Sequence, residues 1–248
     1  MLNLFCYLIL LCPILLVQLI NNMKQITRFT VLFLIIVSCS SNANAQNIDI
    51  DWTSKINHID AGKGFNSSMK FISSSAIYIE VGSVVGLGLY GWLKEDEKIL
   101  ETGIVTGAAM LFNGAITLTS KYAINRKRPF KAYPDRIILR DKQSDNYSPS
   151  FVSGHTSMAF NLATSITMSF PKWEVAVPMY VWASTVAFSR MYLGVHYPSD
   201  VLGGIIVGVG SSYLTYKANE WLKDRRKVPW GVSQVNIVYA GFTNSDYK

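Results

Sequence analysis

Five long apolar stretches dominate this chain and restrict what it can fold into. Residues 71–93 contain a single charge, Glu80, and residues 102–120, 156–170, 175–189 and 201–216 contain none. Strands usually run 4–8 residues, so uninterrupted stretches of this length are helices. The first two approach the ~20 residues that cross a bilayer. The other three fall between a buried core helix and a full span, and hydropathy alone leaves both readings open. Lys94-Glu95-Asp96-Glu97-Lys98 marks a polar turn between the first two. The expectation is an all-α fold, a helical bundle of five to six membrane-spanning helices.

Composition agrees with that pattern. Only 16% of the 248 residues are charged, against about 25% in an average soluble domain. The formal net charge of +7 suits an anionic partner such as phosphate or a membrane surface. No basic-aromatic repeat or nucleic-acid module is present, so a nucleic-acid partner is not expected. Residues 1–45 read as a leader. Lys24 and Arg28 give a basic start after Met23, an apolar run follows, and Ala43-Asn44-Ala45 supplies a cleavage pattern before Gln46. Met23 as the true start, an additional N-terminal anchor, and lipidation at Cys39 within Ile36-Val37-Ser38-Cys39 are open alternatives. The three cysteines (Cys6, Cys12, Cys39) all lie in this leader, so no disulfide framework is expected beyond it.

Residues 46–227 read as one helical domain and 228–248 as a tail with partial strand-like alternation. Residues 46–70 are polar and mixed, suggesting a loop with a short amphipathic helix. Small residues recur at four-residue spacing as Gly82/Gly86, Gly103/Gly107 and Gly204/Gly208, which permits close helix approach in lipid or in any tight bundle. If the leader starts in the cytoplasm and all five stretches span, Lys217, Lys223, Arg225, Arg226 and Lys227 fall inside, as the positive-inside tendency favours. Residues 121–156 and 190–199 then share the outer, periplasmic face of the inner membrane.

Those two stretches carry the chemistry. They read Lys121-x6-Arg128-Pro129, Ser153-Gly154-His155, and Ser189-Arg190-x5-His196-x3-Asp200. A phosphoryl group in transfer spreads negative charge over its equatorial oxygens, so fixed cations and amide donors are what its site must supply. Lys121, Arg128 and Arg190 can supply charge, the arginines through planar forks. Ser153-Gly154 precedes an apolar helix whose first amides lack partners, a natural anion cradle, and Gly154 lets phosphate come close. Asp200 lies four residues after His196 in the first turn of the last helix. There it can hold the imidazole in one tautomer and leave the other nitrogen for attack. No Asp/Glu/His cluster has hydrolase-metal spacing, so neither a metal nor a cofactor is expected. His58 lies outside the motifs and reads as a surface histidine.

The three blocks together resemble the type 2 phosphatidic acid phosphatase superfamily, which includes lipid phosphatases, bacterial acid phosphatases and vanadium haloperoxidases. The resemblance covers roughly residues 70–217. It implies that His196 is the nucleophile that forms a phosphohistidine and that Asp200 orients it. It implies that His155 protonates the leaving oxygen and then activates water, while Lys121, Arg128, Ser153, Gly154 and Arg190 bind the phosphoryl group. The family's second block usually reads Pro-Ser-Gly-His; here Val152 replaces the proline, which implies altered loop rigidity rather than lost chemistry. The activity implied is metal-independent hydrolysis of a phosphorylated lipid: phosphatidate, phosphatidylglycerophosphate, an isoprenyl diphosphate or lipid A phosphate. A soluble secreted acid phosphatase, a vanadate-dependent haloperoxidase and a non-catalytic phosphate-binding membrane protein are the competing readings.

Overall fold

The computed structural model describes residues 43–141 and 148–226. The leader readings up to residue 42 and the tail readings beyond residue 227 lie outside the described residues. Among the described residues seven helices follow in order: α1 Ala43–Asn57, α2 Gly62–Leu93, α3 Glu97–Ile124, α4 Pro129–Ala132, α5 Gly154–Ser169, α6 Trp173–Tyr192 and α7 Pro198–Arg226. No strand occurs among the described residues. Of residues 46–70, expected to be a loop with a short helix, 46–57 belong to α1 and 62–70 to the start of α2.

Local chemistry sets the breaks. Asp96 accepts a hydrogen bond from the Ile99 amide at 3.0 Å and starts α3. The preceding turn is tight, because a Cβ on Gly91 would lie 2.3 Å from the Leu100 nitrogen. Asn125 ends α3 in the left-handed region, its amide returning to the Lys121 carbonyl. Pro129 and Pro198 open α4 and α7 at the position where a missing N–H costs nothing.

The helices run alternately up and down, and α5 lies between α3, α6 and α7. Phe160 of α5 shares one buried core with Val186, Met191 and Tyr192 of α6 and Val209 of α7. Polar side chains stitch the same helices together. Asn161 Nδ2 donates to the Ala109 carbonyl at 3.2 Å and to Ser211 Oγ at 2.8 Å, and Ser165 donates to Ser212 at 3.0 Å. Such interhelical bonds and small-residue contacts are what hold helices together where burial of apolar surface contributes little.

The three glycine pairs behave differently. A Cβ on Gly208 would meet the Ser157 carbonyl oxygen at 2.2 Å, and one on Gly204 the Ser153 carbonyl oxygen at 2.8 Å. These two glycines bring α7 onto α5. Gly103 faces the Gly88 backbone of α2 at 2.7 Å. A Cβ on Gly82 or Gly86 would meet nothing within 4 Å among the described residues.

The outer surface is apolar. Helices α2 and α3 have the length and composition of membrane spans, yet only 17% and 33% of their most apolar windows are buried within the chain. Tyr78, Val85, Leu89, Leu111 and Leu118 point outward. The core helix of a soluble protein would hide these faces.

Candidate active site

Alternating direction brings the end of α3, the start of α5, the end of α6 and the start of α7 to one end of the bundle. Every residue singled out from the sequence lies there: Lys121 in the last turn of α3, Arg128 just before α4, Ser153-Gly154-His155 at the start of α5, Arg190 in the last turn of α6, and His196 and Asp200 around the start of α7. Arg128, Ser153, Arg190, His196 and Asp200 are nearly inaccessible. The turn that delivers His196 depends on Gly194, whose φ of +79° an L side chain rarely adopts, and where a Cβ would meet the Ile138 carbonyl at 2.7 Å.

His196 Nδ1 stands 3.5 Å from Asp200 Oδ2 and 3.4 Å from the Ser150 hydroxyl, which itself donates to the same carboxylate oxygen. The Tyr197 amide donates to the same carboxylate oxygen at 2.9 Å. Nδ1 is the ring nitrogen on this side, which leaves Nε2 outside these contacts. Burial holds the His196 pKa down to about 3, against the partial opposition of Asp200. The imidazole is therefore neutral at physiological pH and keeps the lone pair a nucleophile needs.

The cations converge around this pair. Lys121 Nζ donates to the Pro149 carbonyl at 2.6 Å, and Arg128 grips Ser148 through its carbonyl at 3.0 Å and its hydroxyl at 2.9 Å. Arg190 donates to Ser73 Oγ of α2, while its buried Nε has no hydrogen-bond partner among the described residues. Lys121, Arg128 and Arg190 lie within electrostatic range of one another, and all three act on His155. His155 also senses His196. Like charges gathered in a buried space are held at a cost that an anion relieves.

Helix α5 adds donors. Its first-turn amides, from Gly154 onward, have no intrahelical carbonyl to reach. A Cβ on Gly154 would meet only Thr117 Cγ2, at an ordinary 3.7 Å, so packing within the chain does not demand a glycine there. Ser153 is fixed through its amide, which donates to the Asp200 carbonyl at 3.0 Å, and through its hydroxyl, 2.9 Å from that of Thr156. Val152, in the family's proline position, is buried with Phe151 against Gly203 of α7.

His58 is exposed and stays outside the site, bonded to the Ser54 carbonyl. Three contributors carried no signal in the sequence reading: Asp49 of α1, Arg126 and Ser150; Ser199 reads there only as a start signal of the last helix. Arg126 lies inside the spacer between Lys121 and Arg128, where any residue satisfies the motif. The described residues contain no group of three or more His, Cys, Asp or Glu arranged for a metal.

Residues 102–224 match the family model described as PAP2 superfamily, a span that contains all eight residues singled out above and excludes α1 and α2. Undecaprenyl-diphosphatase BcrC of Bacillus subtilis (strain 168) is 30% identical over 158 residues, which cover 64% of this chain and 77% of the relative. Lipid A 4'-phosphatase of Bacteroides thetaiotaomicron is 36% identical over 99 residues, 37% of this chain and 44% of the relative. Among solved structures, the first transmembrane PAP2 type phosphatidylglycerolphosphate phosphatase from Bacillus subtilis superimposes with a TM-score of 0.62 at 26% identity, covering 79% of this chain and 96% of that one.

Proposed function

The chain belongs to the PAP2 superfamily of phosphatases, and on that premise we propose that it hydrolyses the terminal phosphate of a polyprenyl diphosphate or a similar lipid phosphate through a phosphohistidine on His196. The observation that carries this reading is the buried His196, set beside Ser150 and Asp200 and within electrostatic range of Arg128 and Arg190, with Lys121 close to both arginines.

Burial and the three cations keep His155 neutral until the anionic substrate offsets them and brings a proton onto its ring. In the first step His196 Nε2 attacks phosphorus, the bond from phosphorus to the leaving oxygen breaks, and His155 passes that proton to the oxygen. In the second, His155 takes a proton from water as the water oxygen attacks the phosphohistidine. Inorganic phosphate leaves and His196 is regenerated. The three cations and the α5 amides stabilise the charge on the equatorial oxygens in both steps. The unpartnered Nε of Arg190 is a donor an arriving phosphoryl oxygen would satisfy.

A lipid substrate follows from the apolar exterior. The site lies at the end of a bundle whose α2 and α3 faces suit lipid rather than water. Exposed Trp92, Trp173 and Trp221 gather at the opposite end, and Tyr122 beside the site, as aromatic residues do at the two membrane interfaces. The basic end of α7 favours the cytoplasmic side, which supports a site on the periplasmic face of the inner membrane. The diphosphate is preferred because the undecaprenyl-diphosphatase relative aligns over most of its length, the lipid A phosphatase over less than half.

The test is phosphate release by detergent-purified protein with chelator present, from undecaprenyl diphosphate, lipid A, phosphatidate and a soluble ester, beside His196→Ala. Release from the lipid diphosphate that the mutation abolishes, with acid-labile label trapped on the wild-type chain, is expected. Equal turnover of soluble esters would refute the lipid preference, and turnover by His196→Ala would refute the nucleophile.

A further inference from the structure

The carboxylate of Asp200 is completely buried, and one of its two oxygens faces away from His196. That oxygen, Oδ1, takes a hydrogen bond from Arg126 at 2.8 Å. The same guanidinium reaches in the opposite direction to Asp49 Oδ2 of α1 at 2.6 Å and touches Ser199 Oγ at 2.6 Å. Its plane rests on the Tyr197 ring, 3.9 Å from Cζ to the ring centroid. Asp49 in turn accepts the Ser199 amide at 3.0 Å and the Ser199 hydroxyl. A carboxylate of one helix thus caps the start of another, the end of α7 where its dipole favours negative charge.

We propose that Arg126 and Asp49 are positioning residues for the reaction: Arg126 fixes the rotation of the Asp200 carboxylate, and Asp49 fixes Arg126. The inference rests on His196 being the nucleophile. With Oδ1 occupied by Arg126, Oδ2 is the oxygen presented to Ser150, the Tyr197 amide and His196. A planar fork with one nitrogen on each carboxylate, stacked on an aromatic ring, is a geometry that only arginine provides; a lysine is a point charge and cannot span both. The side-chain hydrogen bonds of Arg126 and Asp49 run to Asp200, Ser199 and each other, so the pair sets the efficiency of attack rather than the grip on phosphate. It also gives α1, which lies outside the family match, a defined part in the site.

Arg126→Ala, Arg126→Lys, Asp49→Asn and the Arg126→Ala/Asp49→Asn double variant are assayed with the substrate the wild type turns over. As for other residues that orient a reacting group from behind, kcat is expected to fall by about 10- to 100-fold in Arg126→Ala. KM and inhibition by inorganic phosphate are expected to stay within about threefold of wild type, since the phosphate-binding cations are untouched. Millimolar guanidinium is expected to restore part of the lost kcat in Arg126→Ala, and Arg126→Lys to stay impaired. The double variant is expected to be no worse than Arg126→Ala alone. An unchanged kcat, or a loss that raises KM and the phosphate inhibition constant in parallel and ignores guanidinium, overturns the proposal. Should Arg126→Ala not accumulate as folded protein, Asp49→Asn decides: wild-type kcat in that variant is equally fatal. Inactivity of the wild type itself would overturn the functional reading instead.

Discussion

Placing a single methyl group on α7 tests whether the α5–α7 contact sets the geometry of the site. A Cβ at position 208 lies 2.2 Å from the Ser157 carbonyl oxygen, 3.0 Å from the Asn161 nitrogen and 3.1 Å from Phe160 Cβ. A carbon settles against a carbonyl oxygen at about 3.3 Å, so Gly208→Ala forces the two helices apart by about 1 Å. The obstacle is backbone in a buried core, which cannot rotate away. Overpacking of this kind costs ~3 kcal/mol at the upper end of its range, offset by ~1 kcal/mol of helix propensity gained from alanine. The net is a loss of about 2 kcal/mol, or roughly 4–8 °C in a chain of this size. Ser157 lies one turn below Ser153, its amide bonded to the Ser153 carbonyl at 2.9 Å. The displacement therefore reaches the phosphate cradle, where a misplacement of about 1 Å can cost on the order of 100-fold in rate. Gly82→Ala is the matched control. It makes the same chemical change where nothing lies within 4 Å, and is expected to raise stability by up to ~1 kcal/mol without loss of activity. Both are measured by thermal melting in detergent and by phosphate release. A Gly208→Ala protein that melts at or above the wild-type temperature with full turnover would refute the reasoning.

Three further outcomes are expected. The depressed pKa of His196 makes its stabilising neutral form fully available above the unfolded value near 6.5, with stability lost as pH falls towards about 3; the melting temperature should drop between pH 7 and 4 less in His196→Gln than in wild type, and equal drops would contradict this. Arg190→Lys removes the planar fork, including the buried Nε, and is expected to raise KM and the phosphate inhibition constant by about tenfold or more; unchanged phosphate affinity would remove Arg190 from the binding set. Asn57 joins three elements by donating to the Ile138 and Tyr192 carbonyls at 3.0 and 2.8 Å and accepting from the Ile138 amide at 2.8 Å. Asn57→Ala is expected to cost ~2–3 kcal/mol by leaving these buried groups unpaired, and a melting temperature within about 2 °C of wild type would show that water replaces them.

The sequence alone determined the helical class, the approximate course of the helices α2, α3, α5, α6 and α7, and the set of residues gathered at one end. Apolar run length specifies helix over strand, and a reactive constellation needs particular side chains at particular spacings, so both leave a record in one dimension. Only the tertiary structure decided the rest. Ser150, Arg126 and Asp49 meet partners 50, 74 and 77 residues away, and no local pattern encodes a contact at that distance. The glycine pairs make the same point. Gly82/Gly86 and Gly204/Gly208 have identical spacing, yet one pair faces outward and the other brings α7 against the backbone of α5. Spacing specifies a face of a helix, while what that face meets depends on how the whole bundle packs.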